Sequence, residues 1–203
     1  MPAVAILLAL LQTEPLPAGA TARMGTTRYR VDWAEALVFS PDGRTLFAAG
    51  RGIRAVDVAR GDVRVLDGSD GLPSALRLVD NGATLVAAFA DGSVRRWTVA
   101  TGRPDGSRRL IEIDSSIPAA LASDGRRALF GLHVCSVAGD ESRLVLRDPD
   151  KPNVLAIAPD GETFAWAPDR WAADRSVRIA TLAGRRIATL PPGDDDWVPA
   201  LGF

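Results

Sequence analysis

Short apolar runs alternate with tight polar turns along most of the chain. One turn recurs as Ser40-Pro41-Asp42-Gly43, Val79-Asp80-Asn81-Gly82, Ala122-Ser123-Asp124-Gly125 and Ala158-Pro159-Asp160-Gly161. Its glycines stand 39, 43 and 36 residues apart. Before each turn comes a run of apolar character: Ala36 to Phe39, Ala75 to Leu78, Pro118 to Leu121, Val154 to Ile157. After it comes another: Thr45 to Ala49, Thr84 to Ala88, Ala128 to Leu132, Thr163 to Trp166. Runs this short, bounded by Pro, Asp and Gly, read as buried strands rather than helices. Asp-Gly and Asn-Gly supply the positive φ that a tight hairpin demands.

A second turn follows in each unit, at Gly61, Gly102, Gly139 and Gly184. Two further strand-like runs flank each one: Ile53 to Val58 and Val63 to Leu66, Ser93 to Val99 and Arg108 to Glu112, Val134 to Val137 and Arg143 to Leu146, Ser176 to Leu182 and Arg186 to Leu190. The pattern predicts four strands, a to d, in each of four units: 36–66, 75–112, 118–147 and 153–190. A period near 40 residues with four strands per unit is that of a β-propeller. The fold class is therefore all-β, a propeller of four-stranded antiparallel blades. Residues 197–203 resemble the first strand of a fifth blade, and 21–35 a lead-in with an outer closing strand at Thr27 to Val31. The expectation is an incomplete ring, a piece of a longer propeller. Such an arc exposes unpaired edges and an uncovered sheet face, both prone to self-association.

These residues resemble WD repeats of bacterial proteins. Ala36 to Gly43 (ALVFSPDG) is similar to the first hairpin of such a repeat, and Asp91 to Gly102 (DGSVRRWTVATG) to its third strand and turn. The resemblance covers residues 16–203. It departs from the family at the name-giving Trp-Asp pair, which is Val56-Asp57 in the first unit, Trp97-Thr98 in the second and absent from the others. With a single His, His133, the family's buried polar network is incomplete, so the blades are expected to lean on apolar packing. The resemblance implies a scaffold for protein–protein recognition and no catalysis.

It also implies that the d–a and b–c connections share one face. The d–a connections carry Asp67 and Asp70, then Asp114, then Asp148 and Asp150, then Asp194, Asp195 and Asp196. A rim of carboxylates focuses negative potential even on a chain of net charge −1, and would suit a basic peptide. The competing reading is that Asp simply solvates turns. The long b–c connection of the fourth unit, Ala167 to Arg175, presents Trp171, an anchor of the kind found at interface hot spots, unless it folds back on its own blade.

Enzymatic readings find little support. No phosphate-binding Gly-rich loop, nucleophile elbow or basic–aromatic stripe for nucleic acid is present. Three adjacent carboxylates at 194–196 do not converge on one metal ion, and Asp67-Gly68-Ser69-Asp70-Gly71 lacks the distal Glu of a calcium loop. His133 and Cys135 share a strand face without an orienting third group, so Cys135 is expected to pack as a small hydrophobe. No cofactor or metal is expected. The alternatives are a propeller module of a larger exported enzyme, kinase or protease, or a cofactor- or metal-dependent propeller. Residues 3–11 (AVAILLALL) with Ala18-Gly19-Ala20 match a signal-peptide core and cleavage site over residues 1–20, so the expected location is outside the cytoplasm, with no membrane span in the mature chain. Without that signal the chain would be cytoplasmic. Lysine occurs once, at Lys151, and the excess of Arg reads as coding bias.

Overall fold

The computed structural model describes residues 34–113, 117–139, 141–148, 150–169, 171–191, 198 and 201. The leader, the segment 21–33 and most of the fifth-blade segment lie outside the described residues.

Four antiparallel sheets follow one another, each a simple meander. Blade 1 comprises β1 (Ala36–Phe39), β2 (Thr45–Gly50), β3 (Gly52–Asp57) and β4 (Val63–Val65). Blade 2 comprises β5 (Pro73–Val79), β6 (Thr84–Phe89), β7 (Ser93–Thr98) and β8 (Arg103–Arg109). Blade 3 comprises β9 (Ala119–Leu121), β10 (Arg127–Phe130), β11 (His133–Ser136) and β12 (Ser142–Leu144). Blade 4 comprises β13 (Pro152–Ile157), β14 (Thr163–Pro168), β15 (Val177–Thr181) and β16 (Arg186–Leu190). The first strands of successive blades touch: β1 with β5, β5 with β9, and β9 with β13. This is a four-bladed β-propeller.

The recurring turn has one geometry in three blades. In blade 1 the Ser40 amide donates to the Thr45 carbonyl, Gly43 N–H to the Ser40 carbonyl, and the Asp42 carboxylate accepts the Arg44 amide at 3.0 Å. Asp124 does the same for Arg126, and Asp160 for Glu162 and Thr163. Blade 2 departs: Asp80 and Asn81 both take positive φ, and Asp80–Gly82 forms a 3-10 turn.

Side chains of the two middle strands point alternately at the blade before and the blade after, and three apolar clusters fill the spaces. Phe47, Ile53 and Leu66 of blade 1 meet Leu85, Phe89 and Trp97 of blade 2. Val86 and Val94 meet Leu121, Ala128 and Phe130. Leu129, Leu132 and Val145 meet Phe164 and Trp166, whose rings stack at 5.1 Å. Each fully buried Leu- or Phe-sized side chain contributes roughly 1.5–3 kcal/mol. Apolar packing therefore carries the blades, as the missing polar network implies.

One strand is displaced from expectation. The outer strand of blade 2 runs over Arg103–Arg109, not 108–112. The tight turn ending at Gly102 brings Arg103 opposite Thr98, and this sets the register. Leu110, Ile111 and Ile113 then leave the sheet and pack against the cluster between blades 2 and 3.

Candidate binding face

In a meander the chain reverses at each turn, so all a–b and c–d turns lie at one end of a blade and all b–c and d–a connections at the other. The second end holds Asp67, Asp70, Asp148, Asp150 and Trp171. Here the connection from blade 1 to blade 2 is anchored on the β2–β3 hairpin. Ser69, buried, accepts the Ile53 amide at 3.0 Å and donates to the Leu66 carbonyl at 2.7 Å. Gly52 N–H donates to the Gly71 carbonyl. The residues around Ser69 are pinned by their backbones, which leaves Asp67 and Asp70 exposed.

A repeated device clamps these connections. Asp91-Gly92-Ser93-Val94-Arg95 and Asp174-Arg175-Ser176-Val177-Arg178 occupy the same place at the start of the third strand. In each, the Asp carboxylate accepts both the amide and the hydroxyl of the Ser. The Arg then reaches back to the preceding blade. Arg95 donates to the carbonyls of Gly68 (3.1 Å) and Asp70 (2.7 Å) and lies 3.9 Å from the centre of the Phe89 ring. Trp97 Nε1 donates to the Asp67 carbonyl at 2.7 Å.

Arg178 holds carboxylates instead. It pairs with Asp148 (2.6 Å), Asp150 (2.9 Å) and Asp174 (3.0 Å), and Arg186 adds a second bond to Asp148 at 2.8 Å. The Asp148 side chain is fully buried. The hydroxyl and amide of Ser176, followed by Arg178, hold the Asp174 carboxyl well below the usual carboxylate range. Burial works to raise Asp91, but Ser93 and the nearby Arg95 and Arg109 outweigh it and lower its pKa.

The rim is thus not uniformly acidic. Asp67 and Asp70 face solvent, whereas Asp148 and Asp150 are spent on Arg178 and Arg186. Asp114, Asp194, Asp195 and Asp196 lie outside the described residues. Trp171 does not fold back: it is 81 % exposed, its amide donating to Asp169 at 3.0 Å. Asp-x-Ser-Val-Arg was the available signal for the clamp, since it occurs twice in register.

Arginine also stitches blades elsewhere. Arg64 donates to the Val99 carbonyl (2.7 Å), Arg77 to Leu121 (3.3 Å), Arg127 to Gly161 (2.8 Å) and Arg143 to Leu182 (2.6 Å), each crossing to the next blade. A planar guanidinium carries five donors in a rigid fork, against three on a compact ammonium. The arginine excess therefore has a structural use beyond coding bias.

The remaining cavities are plain. One of about 430 Å³ lies where the first strands converge, lined by Glu35, Ser74, Ala119, Asn153 and Leu201 among others. Cys135 is buried, and burial pushes its thiol up to about 11. Among the described residues no three His, Cys, Asp or Glu side chains are placed to share a metal ion. Among them, too, no helix is long and apolar enough to cross a membrane.

No family model matches the chain, and no curated protein matches it. Solved structures do. A chain described as Kuenenia stuttgartiensis hydrazine synthase superposes with a TM-score of 0.61 at 21 % identity, over 87 % of this chain and 53 % of its own length. The likeness is one of fold. This chain spans about half the length of that one.

Proposed function

We propose that this chain is an exported, WD-repeat-like scaffold that binds a protein or basic peptide through the connections at the b–c and d–a end of its blades, without catalysis. The observation that carries the reading is Trp171, 81 % exposed on the longest b–c connection. Burying the ring of a large aromatic that stands in water is favourable, and such a side chain offers a broad anchor. Asp67 and Asp70, exposed at the same end of their blade, supply charge for a basic partner. The clamps of Arg95 and Arg178 hold two of the d–a connections in fixed positions, and pre-set loops lose less entropy on binding. Export rests on the apolar run Ala3 to Leu11 and the small residues that follow.

Titration of Arg/Lys-rich peptides, followed by tryptophan fluorescence, tests this. Trp171→Ala should weaken binding by about tenfold or more, the scale of a hot-spot residue. Asp67→Asn with Asp70→Asn should weaken it further at low salt only. Affinity indifferent both to salt and to Trp171 would sink the proposal.

A second reading, a propeller module of a larger exported enzyme, is favoured by one observation. The solved chain it resembles is about twice as long and is described as hydrazine synthase. That reading expects no peptide affinity, and a reading frame that continues past Phe203 into a catalytic domain.

A further inference from the structure

The connection from blade 3 to blade 4 borders a cleft of about 480 Å³ beside the β10–β11 hairpin. Its apolar lining is Leu132, Leu144, Leu146 and Pro152, and Leu144 is 41 % exposed. Its polar lining includes Arg147, His133 and Lys151, the last two being the chain's only histidine and only lysine.

The carboxylates beside this cleft are already engaged: Asp148 by Arg178 and Arg186, and Asp150 by Arg178. Arg147 and Lys151 are exposed, and neither has a partner among the described residues. The charge that a ligand meets here is therefore positive. His133 adds a second observation, because it stands in the register of the clamp. Arg95 lies opposite Ala87, and Arg178 opposite Trp166, each the fourth residue of the strand after the recurring turn. In blade 3 that residue is Phe130, and His133 lies opposite it. Where Arg95 and Arg178 reach back to the preceding connection, the His133 ring makes no hydrogen bond among the described residues. Its ring nitrogens are left for a ligand.

We propose that this cleft takes an acidic, apolar segment of a protein partner. An Asp or Glu side chain of the partner would meet Arg147 and Lys151, and a neighbouring Leu- or Phe-sized side chain would lie on Leu144 and Leu146. Hydrogen bonds between ionised groups are stronger than neutral ones, so a carboxylate is the complementary group for these unpaired cations. The apolar lining makes affinity depend on the body of the segment as well as on its charge. This contact rests on the reading of the b–c and d–a end as the binding face. It gives that face a second pole, opposite in charge to Asp67 and Asp70.

Fluorescence anisotropy of a short labelled peptide of Asp, Glu, Leu and Phe, titrated with the whole chain, tests this. The expected result is saturable binding. It should weaken about tenfold or more when the peptide's Asp and Glu become Asn and Gln, and again when its Leu and Phe become Ser. Arg147→Gln with Lys151→Gln should weaken it about tenfold, and Leu144→Ser should weaken it too. Arg103→Gln, on the exposed β8 of blade 2, should leave it unchanged. Overturning results are no saturable binding, equal binding of either altered peptide, parent affinity in the double variant, or a loss in Arg103→Gln as large as in that variant. Arg147 and Lys151 are exposed, so the double variant should melt with the parent; if Leu144→Ser unfolds, the double variant decides. Binding of basic peptides without acidic ones overturns this contact and leaves the Trp171 reading standing. Binding of acidic peptides without basic ones does the reverse.

Discussion

Arg178 concentrates more consequence in one side chain than any other residue described. It is 5 % exposed and ties Asp148 and Asp150, from the connection between blades 3 and 4, to Asp174. Removing one partner of a buried ion pair leaves charge without compensation, at a cost of roughly 3–5 kcal/mol. Arg178→Ala should therefore lower the denaturant midpoint strongly, whereas Arg103→Ala, on an exposed strand, should leave it nearly unchanged. The acid limb of stability follows from the depressed carboxylates. Asp42, Asp160 and Asp174 have folded pKa values below the ordinary 3.8, so each binds its proton less readily when folded. Their stabilisation is complete above that value and is lost as pH falls through their lowered ones. Melting temperatures measured from pH 6 down to pH 2 should drop below about pH 4, and Asp174→Asn should flatten the drop.

The strands and turns show what a sequence can and cannot display. The apolar runs placed fifteen of sixteen strands close to their observed bounds, because each run is bracketed by Gly, Pro or Asp with a local reason to turn. The sixteenth, β8, holds Pro104 and Gly106 and is mostly exposed, so no apolar signal marks it; only the turn before it sets where it lies. The clamp was legible in principle as a repeated pentapeptide, but its acceptors are backbone carbonyls and a loop from another blade, which no local pattern announces. Asp148 looked like any loop carboxylate until Arg178 was brought to it. Turn glycines hold a further distinction that is visible only in three dimensions. Gly161 and Gly184 both take positive φ, but a Cβ on Gly161 meets nothing within 4 Å, whereas on Gly184 it would lie 2.7 Å from the Val145 carbonyl of the preceding blade. Gly161→Ala should cost about 1–2 kcal/mol from backbone conformation alone. Gly184→Ala should cost more, because blade 3 must move as well, and paired thermal melts will show the order.

At the scale of the molecule, the blades behave as a stack in which each contacts its neighbours, so stability is close to a sum of blade and junction contributions. Among the described residues, Leu37 and Phe39 of blade 1 and Leu190 of blade 4 stand exposed at positions that the other junctions cover.

The arginine stitches have a consequence for how such a chain can drift. Each joins a side chain to a main-chain oxygen, so only the donor is written in the genetic text; every amino acid supplies the acceptor. Val99, Leu121 and Leu182 can be exchanged for other residues without breaking the bond they receive. Among relatives, Arg64, Arg77 and Arg143 should therefore persist or vanish without any compensating change at the residues they hold. A fold sewn this way can lose the signature residues of its repeats and keep its shape.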